Sequence, residues 1–221
     1  MSLTDLWPAA GVRVRAGDLE LRWIDDDLLV ALAELASRGV HVPDAMPFTV
    51  PWTRGTPTQV ARSVIAYQWA ARGRVGPDDL RLELAVLVDG VPVGIQGAGG
   101  ADWAVVRTAE TGSWLGLEHQ GRGIGTRMRV LMLALLFDGL GAEEVTSAAW
   151  LDNPASNAVS RRVGYQDNGV RRLVREGGVA INQGYRMTRQ RWEQVREANL
   201  ALLAGPTVLD GVARLREQLA E

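Results

Sequence analysis

Ser113-Trp-Leu-Gly-Leu-Glu-His-Gln120-Gly-Arg-Gly-Ile-Gly-Thr126 carries a strand-like segment into a glycine-rich turn and then into a long apolar helix. Gly121, Gly123 and Gly125 let the backbone come close to a ligand. The free N–H groups and the positive end of the helix dipole favour an anion such as a phosphate or pyrophosphate. The cradle is therefore made of backbone. A Walker loop needs a Lys-Ser/Thr pair closing G-x-x-x-x-G, and this turn has no lysine. The dinucleotide fingerprint G-x-G-x-x-G loses its third glycine, because Thr126 stands in that place. Asp152 lies where a ribose-binding acid belongs, so an NAD-binding enzyme stays as the less favoured alternative.

Gln120 to Gly125 reads as Q-x-x-G-x-G, and here the sequence resembles the GNAT superfamily of acyl-coenzyme A-dependent N-acyltransferases. The wider context resembles its ribosomal-protein-alanine N-acetyltransferase branch. Glu110-Thr-Gly-Ser-Trp-Leu-Gly116 precedes the loop, and Asn153-Pro-Ala-Ser-Asn157 through Val163-Gly-Tyr165 follows it. Tyr185-Arg-Met-Thr-Arg-Gln-Arg-Trp192 matches the branch's final strand and following helix. The resemblance runs from Leu19 to Trp192. It implies an α/β (α+β) fold: a mixed, mostly antiparallel sheet flanked by helices, with a central strand-loop-helix-strand acyl-CoA site. It also implies transfer of an acetyl or larger acyl group, such as succinyl, to a primary amine by direct attack in a ternary complex. Acetyl-CoA or succinyl-CoA is the co-substrate, no metal takes part, and the acceptor is a small-molecule amine or a protein N-terminus.

Residue by residue, the resemblance implies that Trp114, Leu115 and Leu117 lie along pantetheine, which pairs as an added strand. Gln120, Gly121, Arg122, Gly123, Ile124, Gly125 and Thr126 wrap the pyrophosphate, and Asn153 and Asn157 complete the cofactor-binding set. Ser156 matches the serine that hydrogen-bonds or protonates the coenzyme thiolate. Glu110 matches a glutamate that deprotonates the acceptor amine, directly or through water. A non-catalytic acyl-CoA sensor is the alternative from another class, with the same cradle signalling through its C-terminal helices.

The residues themselves carry competing readings. Asn153-Pro154 is an N-cap followed by the proline-tolerant first helical position, a role that needs no ligand. Ser156 then falls in the first turn with Ser160 on the same face, while Ala155, Ala158, Val159 and Val163 supply an apolar stripe. Strict alternation puts Glu110, Gly112, Trp114 and Gly116 on one face unless a bulge at Gly112 re-aims them. Glu110 is otherwise a solvated glutamate or a partner for Arg107. The structureless segment Gly39 to Arg54 is stiffened by Pro43, Pro47 and Pro51, and loops of this length are usually functional. Its His41, Met46, Phe48 and Trp52, with Trp114, offer an aromatic and soft apolar lining for the acceptor or acyl group. His41 is a rival base, whereas His119 reads as a loop residue. No His/Asp/Glu spacing suggests a metal site.

A chain of 221 residues with 47% hydrophobic content can bury one substantial core, so residues 1–221 read as a single domain. Its core spans 19–192, and 193–221 form a C-terminal helical extension. There is no cysteine, hence neither disulfide nor cysteinyl acyl-enzyme. A formal charge of −2 gives no general surface for nucleic acid. Arg161, Arg162, Arg171, Arg172 and Arg175 nevertheless cluster, either toward the coenzyme's 3′-phosphate or as a solvated edge. The longest apolar run, Val130 to Phe137, is too short to span a bilayer, and the first residues carry Asp5 without a basic region, as expected of a cytoplasmic protein.

Along the chain, strands are expected at Leu19–Ile24, Leu82–Val88, Val91–Gly97, Arg107–Leu117, Glu144–Trp150, Tyr165–Arg175 and Val179–Thr188. Asp89-Gly90 is a two-residue hairpin signal. Helices are expected at Asp25–Ser37, Thr58–Ala71, from Gly123 to Gly139 or Gly141, and at Pro154–Val163. Beyond Trp192, Val208, Leu209, Val212, Leu215 and Leu219 recur at helical spacing, a stripe for the chain's own core or for contact in a homo-oligomer.

Overall fold

The computed structural model describes residues 1–220. The strands are β1 (Arg13–Ala16), β2 (Leu19–Trp23), β3 (Asp79–Val88), β4 (Val91–Ala101), β5 (Thr108–Leu115), β6 (Glu144–Trp150), β7 (Gln166–Arg175), β8 (Gly178–Thr188) and β9 (Val208–Asp210). They form one sheet in the order β7-β8-β6-β5-β4-β3-β2-β1-β9. Every neighbouring pair is antiparallel except β5 with β6. The helices are α1 (Leu3–Leu6), α2 (Asp26–Ser37), α3 (Pro57–Arg72), α4 (Trp103–Val106), α5 (Ile124–Ala134), α6 (Pro154–Arg162), α7 (Arg189–Leu200) and α8 (Val212–Gln218). None of them, among the described residues, is long and apolar enough to cross a membrane.

Local chemistry accounts for the boundaries. Asp25 caps α2 by accepting from the Leu28 N–H at 2.9 Å, and Asp26 and Asp27 follow in the first turn. Thr56 and Gln59 form a capping box at the start of α3, with Pro57 in its first turn. Asp89 and Gly90 have φ of 49° and 79°, the paired left-handed residues of a type I′ turn joining β3 to β4.

Alternation along the strands divides the core into two layers. Leu80, Leu82, Leu84 and Val86 point to the α5 side, where Val130 through Phe137 are buried as a continuous run. Ala85, Leu87 and Ile95 point to the other side and pack under α2 and α3. The sheet thus has an α5 face and an α2/α3 face.

The structure corrects the sequence reading at both ends. Val208 and Leu209 are not helical; they form β9, which pairs with β1 from Arg13↔Asp210 to Arg15↔Val208. β1 lies ahead of the first strand that spacing predicts. Val212, Leu215 and Leu219 do lie at helical spacing and are buried in their own chain's main core. On α6 the expected apolar stripe is also displaced. Ala155 and Ala158 are exposed, while Asn157, Ser160 and Val163 are buried. The helix turns Asn157 inward because polar groups on β6 and β8 need partners there.

Candidate active site

β5 and β6 pair from Thr108↔Glu144 to Thr111↔Ser147 and then separate, although β5 continues against β4 to Leu115 and β6 continues against β8 to Trp150. The V-shaped opening is braced from the α5 face by Arg129. Its guanidinium donates to Gln96 Oε1 on β4 (3.3 Å), Ser113 Oγ on β5 (3.4 Å) and Ser147 Oγ on β6 (3.0 Å). Gln96 in turn donates to the Gly97 and Gly112 carbonyls at 3.1 and 3.0 Å. Arg129 is 4% exposed and its hydrogen-bond partners carry no charge. A single cation thus ties together the three strands around the point of divergence.

The glycine turn opens at the same end of β5. Gly121 and Gly123 have φ of 72° and 76°, and Gly123 caps α5 with no side-chain hydrogen bond. A Cβ on either would meet nothing within 4 Å, so the conformation demands glycine while the space before the helix stays open. The first N–H groups of α5 are left for a ligand, which fits a diphosphate. Gly125 faces α6, where a Cβ would stand in ordinary contact with Val159 at 3.6 Å. Arg122 is exposed at the rim, Thr126 is half-buried in the first turn, and the Ile124 side chain is buried beneath it.

Two expected pantetheine and phosphate contacts are already used within the protein. Leu117 donates its N–H to the Gly39 carbonyl (3.0 Å), and its own carbonyl accepts from the Gln120 N–H (3.3 Å), because a 3₁₀ turn over Leu117–His119 folds the backbone away from the strand edge. The Gln120 side chain donates to the Val40 and Leu115 carbonyls at 2.8 and 3.0 Å, tying the turn to the α2–α3 loop. Leu115 is buried with the main core.

On α6, Asn153 caps the helix by accepting from the Ser156 N–H at 3.1 Å. Asn157 is turned into the protein. It is 4% exposed, donates to the Trp150 and Asn153 carbonyls at 2.8 Å each, and accepts from the Tyr185 hydroxyl at 2.7 Å. Ser156 is half-buried, and its hydroxyl makes no hydrogen bond among the described residues. Asp152 is gripped by Arg175 at 2.8 and 2.6 Å, which holds its carboxyl below the ordinary range and occupies the acid that a dinucleotide site would need for ribose.

On the α2/α3 face, the register of β4 against β5 is unbroken from Gly99↔Glu110 to Gly94↔Leu115. There is no bulge at Gly112, and Glu110, Gly112 and Trp114 share the face as alternation predicts. Glu110 is exposed, and Arg107 lies instead over the Trp103 ring at 5.7 Å. Trp114 packs on Trp52 (5.8 Å between centroids), Trp52 on Phe48 (5.0 Å), and Phe48 on His41 (6.0 Å). The loop carrying these rings crosses the opening. The Phe48 carbonyl accepts from Trp150 Nε1 at 3.3 Å, and Arg54 makes a two-point ion pair with Glu176 at 2.6 and 3.0 Å. Both ring nitrogens of His41 are engaged within the loop, with the Val42 carbonyl and Thr53 Oγ1, each at 2.7 Å. Met46 is buried against Thr53 and packs within the loop instead of lining an open pocket. Sequence reasoning missed Arg129, which follows Arg127 at the start of the longest apolar run and is set apart from it only by its burial. It also missed Glu83 on β3, Tyr67 on α3 and Arg81. Among the described residues no group of His, Asp and Glu side chains is placed to hold a metal ion.

Residues 18–166 match the family described as Acetyltransferase (GNAT) domain. Among solved structures, RimJ from Mycobacterium smegmatis in complex with CoA-disulfide is similar, with a TM-score of 0.67, 23% identity, and coverage of 87% of this chain and 92% of that one. The RimL ribosomal alpha-N-protein acetyltransferase in complex with coenzyme A gives 0.64 and 19%, covering 80% and 97% respectively. The microcin C7 self-immunity acetyltransferase MccE, in complex with acetyl-CoA and AMP, gives 0.62 and 17%, covering 77% and 92%. These likenesses are of fold. Together with the family match, which takes in the strand opening, the glycine turn and α6, they place the chain in the GNAT acetyltransferase family.

Proposed function

We propose that the protein transfers an acyl group from acyl-CoA to a primary amine by direct attack on the thioester. One observation carries this reading: the opening of the sheet after Thr111 and the uncapped glycine start of α5 meet at one end of β5. The first offers a free strand edge for an extended arm, and the second offers backbone donors for a diphosphate. Gly121, Gly123 and the first turn of α5 hold the diphosphate, with Arg122 and Thr126 at its rim. The β5 edge at Ser113 and Leu115 holds pantetheine. The amine enters from the α2/α3 face beneath the loop, beside Trp114 and Trp52. There the exposed Glu110 draws in its ammonium group, and the unpartnered Ser156 hydroxyl donates to the departing sulfur. With no cysteine in the chain, a cysteinyl acyl-enzyme is impossible.

Acetyl-CoA is the first donor to test, with succinyl-CoA as the larger one. The likeness to RimL favours a protein N-terminus over a small amine as acceptor. The test is a thermal-shift titration with acetyl-CoA, succinyl-CoA, CoA and NAD. A ligand at 100 times its Kd adds about 2.7 kcal/mol, and at about 2–4 °C per kcal/mol for a protein of this size that is a rise of about 5–10 °C. An acyl-CoA giving this rise, together with sequential kinetics toward an amine, supports the assignment. A response to NAD alone replaces it with a dinucleotide enzyme.

A further inference from the structure

The α2/α3 face carries a charged cluster that coenzyme binding does not use. On β3 the inward Leu80, Leu82 and Leu84 send Arg81 and Glu83 to that face. Glu83 pairs across the sheet with Gly97, and Gly97 with Gly112, the first residue of β5 beyond its last pair with β6. The missing side chains make a trough. A Cβ on Gly97 would overlap the Glu83 carboxylate, and one on Gly99 would stand 2.5 Å from Arg81 Nη1. Glu83 therefore lies flat over β4, with its carboxylate about one strand spacing, roughly 5 Å, from the exposed Gly112 at the mouth of the opening.

Glu83 Oε1 accepts a 2.7 Å hydrogen bond from the Tyr67 hydroxyl, while no protein donor holds Oε2. The charged groups around it come from every neighbouring element: Arg81 on its own strand, Arg72 and Tyr67 on α3, Arg22 on β2 and Glu110 on β5. Arg72 is committed to Asp26 at 2.6 Å and Arg22 leans toward Glu20, so neither neutralises Glu83. Burial pushes the Glu83 carboxyl up to about 7 and raises the Tyr67 phenol as well.

We propose that Glu83, held over Gly97 by Tyr67, takes the proton that the acceptor ammonium must lose before it attacks. This rests on the N-acyltransferase reading. The ammonium gives one proton to Glu83 Oε2, directly or through one water, and the freed lone pair forms the C–N bond to the thioester carbonyl carbon. The C–S bond breaks with its electron pair going to sulfur. The second nitrogen proton ends on that sulfur, and Glu83 returns its proton to solvent. Glu110 contributes charge at the mouth and carries no proton in the step. Tyr67 is a positioning residue, because its hydroxyl favours the ionised carboxylate that must do the accepting.

The experiment follows thiol release from acetyl-CoA with a peptide bearing a free N-terminal alanine, across pH 5.5–9. Because the chain has no cysteine, a thiol reagent sees coenzyme alone. Wild-type kcat/KM is expected to rise through a limb near pH 7. Glu83→Gln should remove that limb and lower kcat/KM at neutral pH at least tenfold with acetyl-CoA affinity unchanged. Tyr67→Phe should move the limb to higher pH, and Glu110→Gln should leave its position alone. A limb that persists in Glu83→Gln, or that disappears only in Glu110→Gln, overturns the proposal while leaving the acyltransferase reading intact. That reading fails separately, if no acyl-CoA stabilises the wild type or releases thiol. Independently of any acceptor, carbon-13 carboxyl labelling of glutamate should show one side chain titrating near 7 that shifts in Tyr67→Phe. Its absence from the wild type overturns the proposal.

Discussion

Glu83→Gln should stabilise the protein above neutral pH, and the size of the effect follows from the site. The carboxyl moves from an ordinary 4.5 to about 7 because burial beside α3 penalises its charge. At 1.36 kcal/mol per unit that gap is worth about 3 kcal/mol as a ceiling, and because the side chain is only half-buried, solvent screening trims this toward about 2 kcal/mol. Between pH 4.5 and 7 the folded chain keeps a proton that the unfolded chain gives up, so unfolding releases a proton and stability falls as pH rises. The penalty is complete above the folded value and absent below the unfolded one. Glutamine is the same shape, keeps a partner for Tyr67 and cannot ionise, so the variant escapes the fall. Asp5, Asp18, Asp152 and Glu176 are shifted the other way by hydrogen bonds and arginine partners. What they contribute is lost only as pH drops below the ordinary carboxylate range, outside this window. Urea unfolding of both proteins at pH 5, 6, 7 and 8 is the assay, and the difference between them cancels the other titrating groups. Equal stabilities at pH 8, or a difference that does not shrink toward pH 5, would refute the account of Glu83.

Gly123→Val forces a β-branched residue into φ of 76° and should cost about 1–3 kcal/mol with no clash. Titration calorimetry should nevertheless find acetyl-CoA affinity down more than tenfold, and an unchanged affinity would defeat the cradle. Asn157→Ala should do the reverse: it strips partners from Tyr185 and two carbonyls, costing about 2–4 kcal/mol by chemical denaturation while coenzyme affinity in the folded protein stays within twofold. Arg54→Ala breaks the pair with Glu176 across the loop. Because that pair is exposed, unfolding should move by less than about 1 kcal/mol, whereas steady-state kinetics should show a raised KM for the amine at unchanged KM for acyl-CoA.

The sequence announces local features of this fold and hides those that need two strands in register. The caps of α2 and α3, the Asp89-Gly90 turn and the glycine start of α5 are written in adjacent residues, and each lies within a residue or two of where spacing puts it. The edge strand β9 is illegible for the opposite reason. It has 3 residues and its only partner among the described residues is β1, nearly the whole length of the chain away, while β1 itself has 4 residues between β2 and β9. Asn157 shows the same limit within a motif. Its neighbours mark a helix start, yet only the Tyr185 hydroxyl and the Trp150 carbonyl, brought in by β8 and β6, decide that it faces inward.

Glu83 and Arg129 were hidden by a common cause. Glu83 alternates with leucines on β3 and Arg129 stands just before the apolar run of α5, and for both the sequence alone allows a solvated position. In the fold they occupy opposite faces of the same place. Arg129 reaches from α5 to Ser113 and Ser147 on one face, and Glu83 reaches over Gly97 toward Gly112 on the other. Arg129 has only uncharged partners, and burial outweighs the nearby Arg81 in setting the Glu83 carboxyl, so both charges sit where burial penalises them. The sheet opens between β5 and β6 where a cation on one side and a proton-holding carboxyl on the other flank the gap. On the proposed mechanism an amine entering over the glycines meets the carboxyl first, while Arg129 lies on the opposite face of the sheet. The opening proposed to admit the acyl arm is thus flanked by a cation on one face and a titratable carboxyl on the other, an asymmetry that favours one direction of charge movement across it.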